Sequence, residues 1–196
     1  MDNSEINIAS YSDEELMVLV CDRNTKALKI LYDRYSKGVY NFIFKYTNNK
    51  EISEDVLQET FTRVWFAAHT FNNQKGRFKA WLFTIGINIT RNEMIKKRYH
   101  YQHLSLDEFN LDNEAAGNPG IESVENLLEH MDLKDTIKRA LEELNPDLRE
   151  VVILKHYQKM KFSEISEITH TPEGTLKARF HRALSQLKIF LQKVES

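Results

Sequence analysis

The chain has 196 residues, 41% of them hydrophobic and 11% aromatic, with 27 Lys and Arg against 29 Asp and Glu and a formal net charge of −2. That composition excludes a disordered polar polymer and supports a folded core. The single cysteine, Cys21, excludes an intrachain disulfide framework and a multi-cysteine zinc module, and no apolar run approaches the roughly 18 residues that span a bilayer.

The first residues, Met1 to Glu5, are acidic and lack the basic opening of a signal peptide, so a cytoplasmic location is expected. Only six Gly and three Pro punctuate the chain, which points to helices. Residues 1–24 form an acidic N-terminal segment. Asp2, Glu5, Asp13, Glu14, Glu15 and Asp22 stand in its first 22 positions without a Lys or Arg. A short helix is expected at 13–21. Over 25–47, Leu28, Leu31, Tyr35, Val39, Phe42, Ile43 and Tyr46 recur at helical spacing. On the next helical segment, 51–69, Leu57, Phe61, Val64 and Trp65 make a core stripe, and Asp55, Gln58, Glu59 and Thr62 line up opposite.

The following helix, 78–98, has an unusual wheel. Phe78, Leu82, Ile85 and Ile89 form one apolar stripe, Phe83, Ile87 and Met94 a second, and Trp81, Asn88 and Asn92 share one edge. In 74–98 the charge sign reverses, with Lys75, Arg77, Lys79, Arg91, Lys96, Lys97 and Arg98 opposed by Glu93 alone. Amides read base edges and aromatic rings stack on unpaired bases, so this edge suits partly single-stranded nucleic acid; a buried helix with hydrogen-bonded amides is the alternative.

An acidic linker is assigned to 100–124, closing on Gly117, Pro119 and Gly120; over 100–135 nine acids oppose Lys134 alone. Beyond it, helices are expected near 121–143, 147–158, 162–169 and 173–192, with a break at Asn145-Pro146. The sign changes again at 155–193, where eight Lys and Arg face three Glu. Two basic blocks separated by an acidic one suggest two anion-binding surfaces, or else solvated helix faces.

Within the last block, Phe162 to Ile168 reads as a short helix, Thr169-His170-Thr171 as a turn, and Pro172-Glu173 as the start of a longer helix. That is the order of a helix-turn-helix. On the longer helix Leu176, Phe180, Ala183, Leu184 and Leu187 form the expected core stripe. The opposite face carries Gly174, Ala178, His181, Arg182 and Ser185, flanked by Thr175, Lys177 and Arg179, a distribution suited to phosphates and base edges. At His170 such turns usually place Gly, because the position calls for positive φ. His100 and His103 lack a third ligand, so no metal site is expected. Cys21 is expected to pack, and no motif supports catalysis or a cofactor.

Several motifs in order and spacing resemble a bacterial RNA polymerase sigma factor of the extracytoplasmic-function (ECF) group. They are Asp55-Val-Leu-Gln58-Glu59-Thr-Phe61, Phe78-Lys-Ala-Trp81-Leu, Asn88, Leu144-Asn-Pro-Asp-Leu-Arg149-Glu-Val and Gly174-Thr175-Leu-Lys177-Ala-Arg179. The resemblance covers about 25–98 and 125–192. It implies an all-α protein of two small helical domains joined by the acidic linker. Residues 25–99 would be sigma region 2, and 125–196 the helix-turn-helix of region 4. It further implies that Asp55, Gln58 and Glu59 dock on core RNA polymerase. Phe71, Lys79, Trp81, Asn88, Arg91 and Asn92 would melt and read the minus-ten element of promoter DNA, with one base captured in the loop from His69 to Arg77. Thr175, Lys177, Ala178, Arg179, His181 and Arg182 would read the minus-thirty-five element. The linker would thread toward the polymerase cleft, and an anti-sigma factor is the expected second partner. Ala178 stands where many relatives carry Ser and His181 where an aromatic or His is typical, leaving the base preference at minus-thirty-five open, and Asn92 replaces a common acid and Gly86 a common Ala.

Two other classes compete. A stand-alone regulator with a terminal helix-turn-helix of the LuxR type would need a signal-receiving N-terminal domain, usually α/β, which the amphipathic helices of 25–98 argue against. An adaptor would keep the polymerase-binding face and lose DNA function.

Overall fold

A computed structural model describes residues 8–74, 76–107 and 135–194. Among them all regular structure is helical: α1 (Asp13–Cys21), α2 (Thr25–Thr47), α3 (Lys50–Phe66), α4 (Phe78–Asp107), α5 (residues 135–143), α6 (Pro146–Val152), α7 (Phe162–Thr169) and α8 (Glu173–Val194). Short polar residues set the starts. Ser12 and Glu15 form a capping box at α1, Asn24 and Asn49 accept from Ala27 and Ile52 at α2 and α3, and Asn145 caps α6 with Pro146 in the first turn. Asn48 ends α2 and His170 ends α7 in the left-handed conformation, at φ 50° and 53°.

The α2 stripe packs as its periodicity predicts, with Leu31, Val39, Phe42, Ile43 and Tyr46 buried and Leu28 and Tyr35 half-buried against the same core. From α4, Phe78, Leu82, Phe83, Ile87 and Ile89 join them. On α3 the buried line is Ser53, Val56, Thr60, Phe61 and Val64, while Leu57 and Trp65 stay half-buried. After α6 the chain winds through a π-helical turn over Ile153–Tyr157. Here the helix expected to reach 158 changes pitch, the Gln158 amide donating to the Ile153 carbonyl at 3.1 Å.

Several expectations shift. Residues 100–107, assigned to the linker, are the last turns of α4, since no Gly or Pro stops the helix there. Residues 108–134, with most of the acidic linker, lie outside the described residues. Leu184, placed in the α8 core stripe, is 44% exposed, because α5 and α6 cover only the arc holding Ala183 and Leu187. Cys21, at the end of α1, is exposed and not packed.

The two helix groups share a core. Val151, Ile153, Leu154, Met160, Ile165, Ile168 and Leu176 from the C-terminal group belong to one apolar cluster with Leu31, Phe42, Phe83 and Ile87 from the N-terminal group. A second cluster, Leu141, Leu144, Leu148, Val152 and Ala183, ties α5, α6 and α8 together.

Candidate nucleic-acid interface

The outer face of α3 presents Asp55, Gln58 and Thr62 to solvent. Glu59 is half-buried and accepts from Arg63 Nε at 2.7 Å, a helical i,i+4 pair. Beside this face a groove of about 670 Å³ runs between α2 and α3, lined by Leu28, Tyr32, Leu57, Phe61, Trp65 and Phe66. Phe66 is 64% exposed at its end. Acids and an amide next to aromatic rings suit a protein partner with basic and apolar side chains.

Along α4, Asn88 and Asn92 are exposed, as the shared edge predicts. Trp81, on the same edge, is half-buried. Its ring lies 5.5 Å from that of Phe71 and 6.2 Å from that of Phe78. Phe71 is itself half-buried, edge-on to Phe78 at 6.1 Å. The Phe71 and Trp81 rings form one wall of a cavity of about 270 Å³, which Thr70, Asn72, Arg77 and Thr84 line further. Its remaining wall comes from α7, through Glu167 and His170. Lys79 lines a neighbouring cleft with Asp13, Glu14, Arg77, Glu164 and Glu167.

Arg91 departs from the expected edge. One residue before Asn92 is a rotation of about 100° around the helix, which turns Arg91 to the seam between the two helix groups. There its Nε donates to Glu150 Oε2 at 2.9 Å and its Nη2 to Oε1 at 2.7 Å. Burial pushes the Glu150 carboxyl up from its ordinary range by more than Arg91 pulls it down. Desolvation works against the Arg91 guanidinium, but the hydrogen bonds and charge of Glu150 outweigh it and hold the group above its usual value.

On α8, Thr175, Lys177, Ala178, His181 and Arg182 are exposed on one side. A Cβ on Gly174 would meet nothing within 4 Å, so the backbone there stands open to close approach. Arg179 is different: its Nη2 lies 2.7 Å from Asp147 Oδ2, tying α8 to α6. The supporting helix α7 packs on α8 through Phe162 and Phe180, 5.8 Å apart and edge-to-face. This is a formed helix-turn-helix with an exposed second helix.

Glu150, Arg149 and Gln158 escaped sequence reasoning as seam residues, and Asp147 as the residue that ties α6 to α8. Asp147 and Glu150 read as ordinary acids near a helix start, and their partners lie 32 and 59 positions away. No local signal pairs them.

Residues 31–99 match the Sigma-70 region 2 family and residues 134–187 match Sigma-70, region 4. The ECF RNA polymerase sigma factor SigW of Bacillus subtilis is 28% identical over 168 residues, 81% of this chain and 85% of its own length. The ECF RNA polymerase sigma-E factor of Escherichia coli K12 is 27% identical over 174 residues, covering 88% and 90%. Among solved structures, the sigma factor RpoE in complex with the anti-sigma factor NepR from Bartonella quintana superposes with a TM-score of 0.66 at 26% identity, covering 85% of this chain and 98% of that one. CnrH, solved in complex with the cytosolic domain of CnrY, shares the fold with a TM-score of 0.68 at 21% identity, covering 92% and 97%. In motif order, in its helix-turn-helix and in its relatives, the chain belongs to the sigma-70 family, in the ECF group of RNA polymerase sigma factors.

Proposed function

We propose that this sigma factor docks on core RNA polymerase through Asp55, Gln58 and Glu59, with the aromatic groove between α2 and α3 beside them. Phe71, Lys79, Trp81, Asn88, Arg91 and Asn92 melt and read the minus-ten element. Thr175, Lys177, Ala178, Arg179, His181 and Arg182 read the minus-thirty-five element. The division into segments 1–24, 25–99, 100–124 and 125–196 follows from those roles. It acts in the cytoplasm, as a binding and strand-opening factor without catalysis of its own. An anti-sigma factor holds it inactive, a partner that the solved relative RpoE supports, since RpoE was captured with the anti-sigma factor NepR.

The exposed face of α8 carries most of the weight. Small residues for close approach sit among Lys177, His181 and Arg182, all open to solvent on a formed helix-turn-helix. The cations are few, so phosphate contacts alone give weak, salt-sensitive binding, and specific promoter binding requires polymerase to hold both reading surfaces on one DNA.

Transcription by core polymerase mixed with the protein and genomic promoter DNA, compared with core alone, tests this. New discrete start sites sharing upstream elements are expected. Core binding without new starts would favour an adaptor, and selection of one duplex site without core would favour a stand-alone regulator.

A further inference from the structure

The side of α4 next to the proposed minus-ten residues is covered by the protein itself. Arg91 makes a two-pronged contact with Glu150, whose side chain is 6% exposed, while that of Arg91 is 37% exposed. Around this pair the seam is stitched by polar groups that reach across it to backbone. Arg149 Nη1 donates to the Tyr46 carbonyl at 2.8 Å, and Gln158 Nε2 to the Gly38 carbonyl at 3.0 Å. Further along, Glu167 and His170 of α7 close the cavity walled by Phe71 and Trp81. Buried Ile165 and Ile168 fix α7 there.

Helix α6 also holds the second reading helix, since Asp147 binds Arg179 of α8 at 2.7 Å. One acidic helix thus occupies an arginine from each of the two proposed DNA-reading helices. A carboxylate gripped by Nε and Nη2 of a guanidinium has the fork geometry with which arginine grips a phosphate. Severing such a pair inside the closed seam would strand a buried charge. Parting the regions as bodies rehydrates both groups and opens the Phe71–Trp81 cavity on its α7 side, against the cost of exposing the apolar residues that the two regions share.

We propose that Glu150 is a built-in stand-in for a DNA phosphate: its ion pair with Arg91 latches α6 against the side of α4 next to the exposed Asn88 and Asn92, and promoter DNA binds by displacing it. The proposal rests on the reading of Arg91 and Trp81 as DNA contacts. The closed chain refuses DNA at this point because the guanidinium is already occupied and α7 walls one side of the ring cavity. The latch is a competition between two anions for one arginine.

The test uses the full chain in a Cys21→Ser background with spin labels on cysteines introduced at exposed Lys26 and Lys188. Pulsed electron paramagnetic resonance gives the distance between the two regions. Fluorescence anisotropy with a single-stranded 20-mer of mixed sequence gives DNA affinity at low salt. Glu150→Gln, which keeps the shape and removes the charge, is expected to lengthen the distance and tighten DNA binding at least fivefold. Arg91→Gln is expected to lengthen it without that gain. The exchange Arg91→Glu with Glu150→Arg restores the short distance and controls for misfolding in the single variants. Distances in Glu150→Gln and Arg91→Gln that superpose on the parent would overturn the latch and leave the DNA reading intact. If Glu150→Gln opens the seam and binds DNA no better than Arg91→Gln does, the competition is overturned, and the assignment of Arg91 to DNA is what failed.

Discussion

Gly86 of α4 lies against Thr60 of α3 where the two helices cross: a Cβ added to the glycine would stand 3.5 Å from Thr60 Oγ1 and 3.6 Å from Val39 Cγ1. Both are ordinary van der Waals distances, so the crossing has room for one methyl. The hydroxyls nearby are already committed, Thr60 donating to the Val56 carbonyl at 2.6 Å and Thr90 to the Gly86 carbonyl at 2.7 Å. Glycine inside a helix costs roughly 0.5–1 kcal/mol relative to alanine through the freedom it loses on folding. Gly86→Ala is therefore expected to raise stability by about that amount, read as a higher urea midpoint at unchanged slope. A lower midpoint would show that the crossing is tighter than these distances.

Alkaline pH probes a different contact. The Tyr35 hydroxyl donates to Asp13, which also accepts from Arg34 Nη1 at 2.7 Å. Burial first, then the hydrogen bond to Asp13 and its negative charge, push the Tyr35 phenol well above its ordinary value. Burial also raises Tyr46 and Tyr157. In the unfolded chain a tyrosine loses its proton near pH 10, while the folded chain retains it. The unfolded state binds fewer protons in that window, so this contribution to stability is complete below about pH 10 and is lost as pH rises through the folded value. Urea midpoints should hold from pH 7 to 9 and fall above 10. Tyr35→Phe should make that fall shallower and cost about 1 kcal/mol at neutral pH for the lost hydrogen bond. An equal slope in the variant would contradict the assignment.

How much of this was readable in the sequence depends on the range of the interaction. The α2 stripe from Leu31 to Tyr46 is a local pattern, and the helix forms over the span in which it recurs. That Asn88 and Asn92 share an edge likewise follows from the wheel of α4, whereas their exposure did not, since buried, hydrogen-bonded amides fit the same wheel. The length of α4 did not follow, because the acidic composition after residue 99 resembled a linker although no helix breaker occurs before Gly117. Leu184 and Leu57 were placed by periodicity in a core whose width is set by neighbouring helices. Arg91 and Arg179 are further from legible: each carries the charge a DNA contact needs, and only the tertiary arrangement shows an acid already on it.

His170 offers a test of the helix-turn-helix geometry. It ends α7 at φ 53° and ψ 33°, a conformation in which its Cβ crowds the backbone. Glycine carries no such penalty at this cap position. His170→Gly should stabilise the fold by roughly 0.5–1 kcal/mol, whereas a β-branched His170→Val should destabilise it by at least as much. Differential scanning calorimetry on the two variants would show melting temperatures moving in opposite directions. A fall in both would mean that the imidazole contributes more through its contacts than the backbone loses.

The two binding surfaces should separate under mutation because they sit on different helices and neither supports the core. Lys177 and Arg182 are exposed, and the one ion pair of Lys177 within α8, to Glu173 at 3.9 Å, is long. Reversing both, Lys177→Glu with Arg182→Glu, should leave the melting temperature and core-polymerase affinity unchanged and abolish promoter-dependent transcription. Arg179 is unsuitable for this purpose, since its pair with Asp147 gives its loss a structural effect as well. On α3, Asp55→Ala with Gln58→Ala and Glu59→Ala should weaken core binding by about 1–3 kcal/mol, the range of a hot-spot truncation. The exposed Glu59–Arg63 pair that this removes is worth only about 0.3–0.5 kcal/mol to folding. Core affinity by fluorescence anisotropy and start-site yield from one promoter, measured on both variants, give four numbers. Loss of core affinity in the α8 variant, or retention of it in the α3 variant, would mean that polymerase is gripped elsewhere, and the aromatic groove of Tyr32, Trp65 and Phe66 would be the next surface to cut.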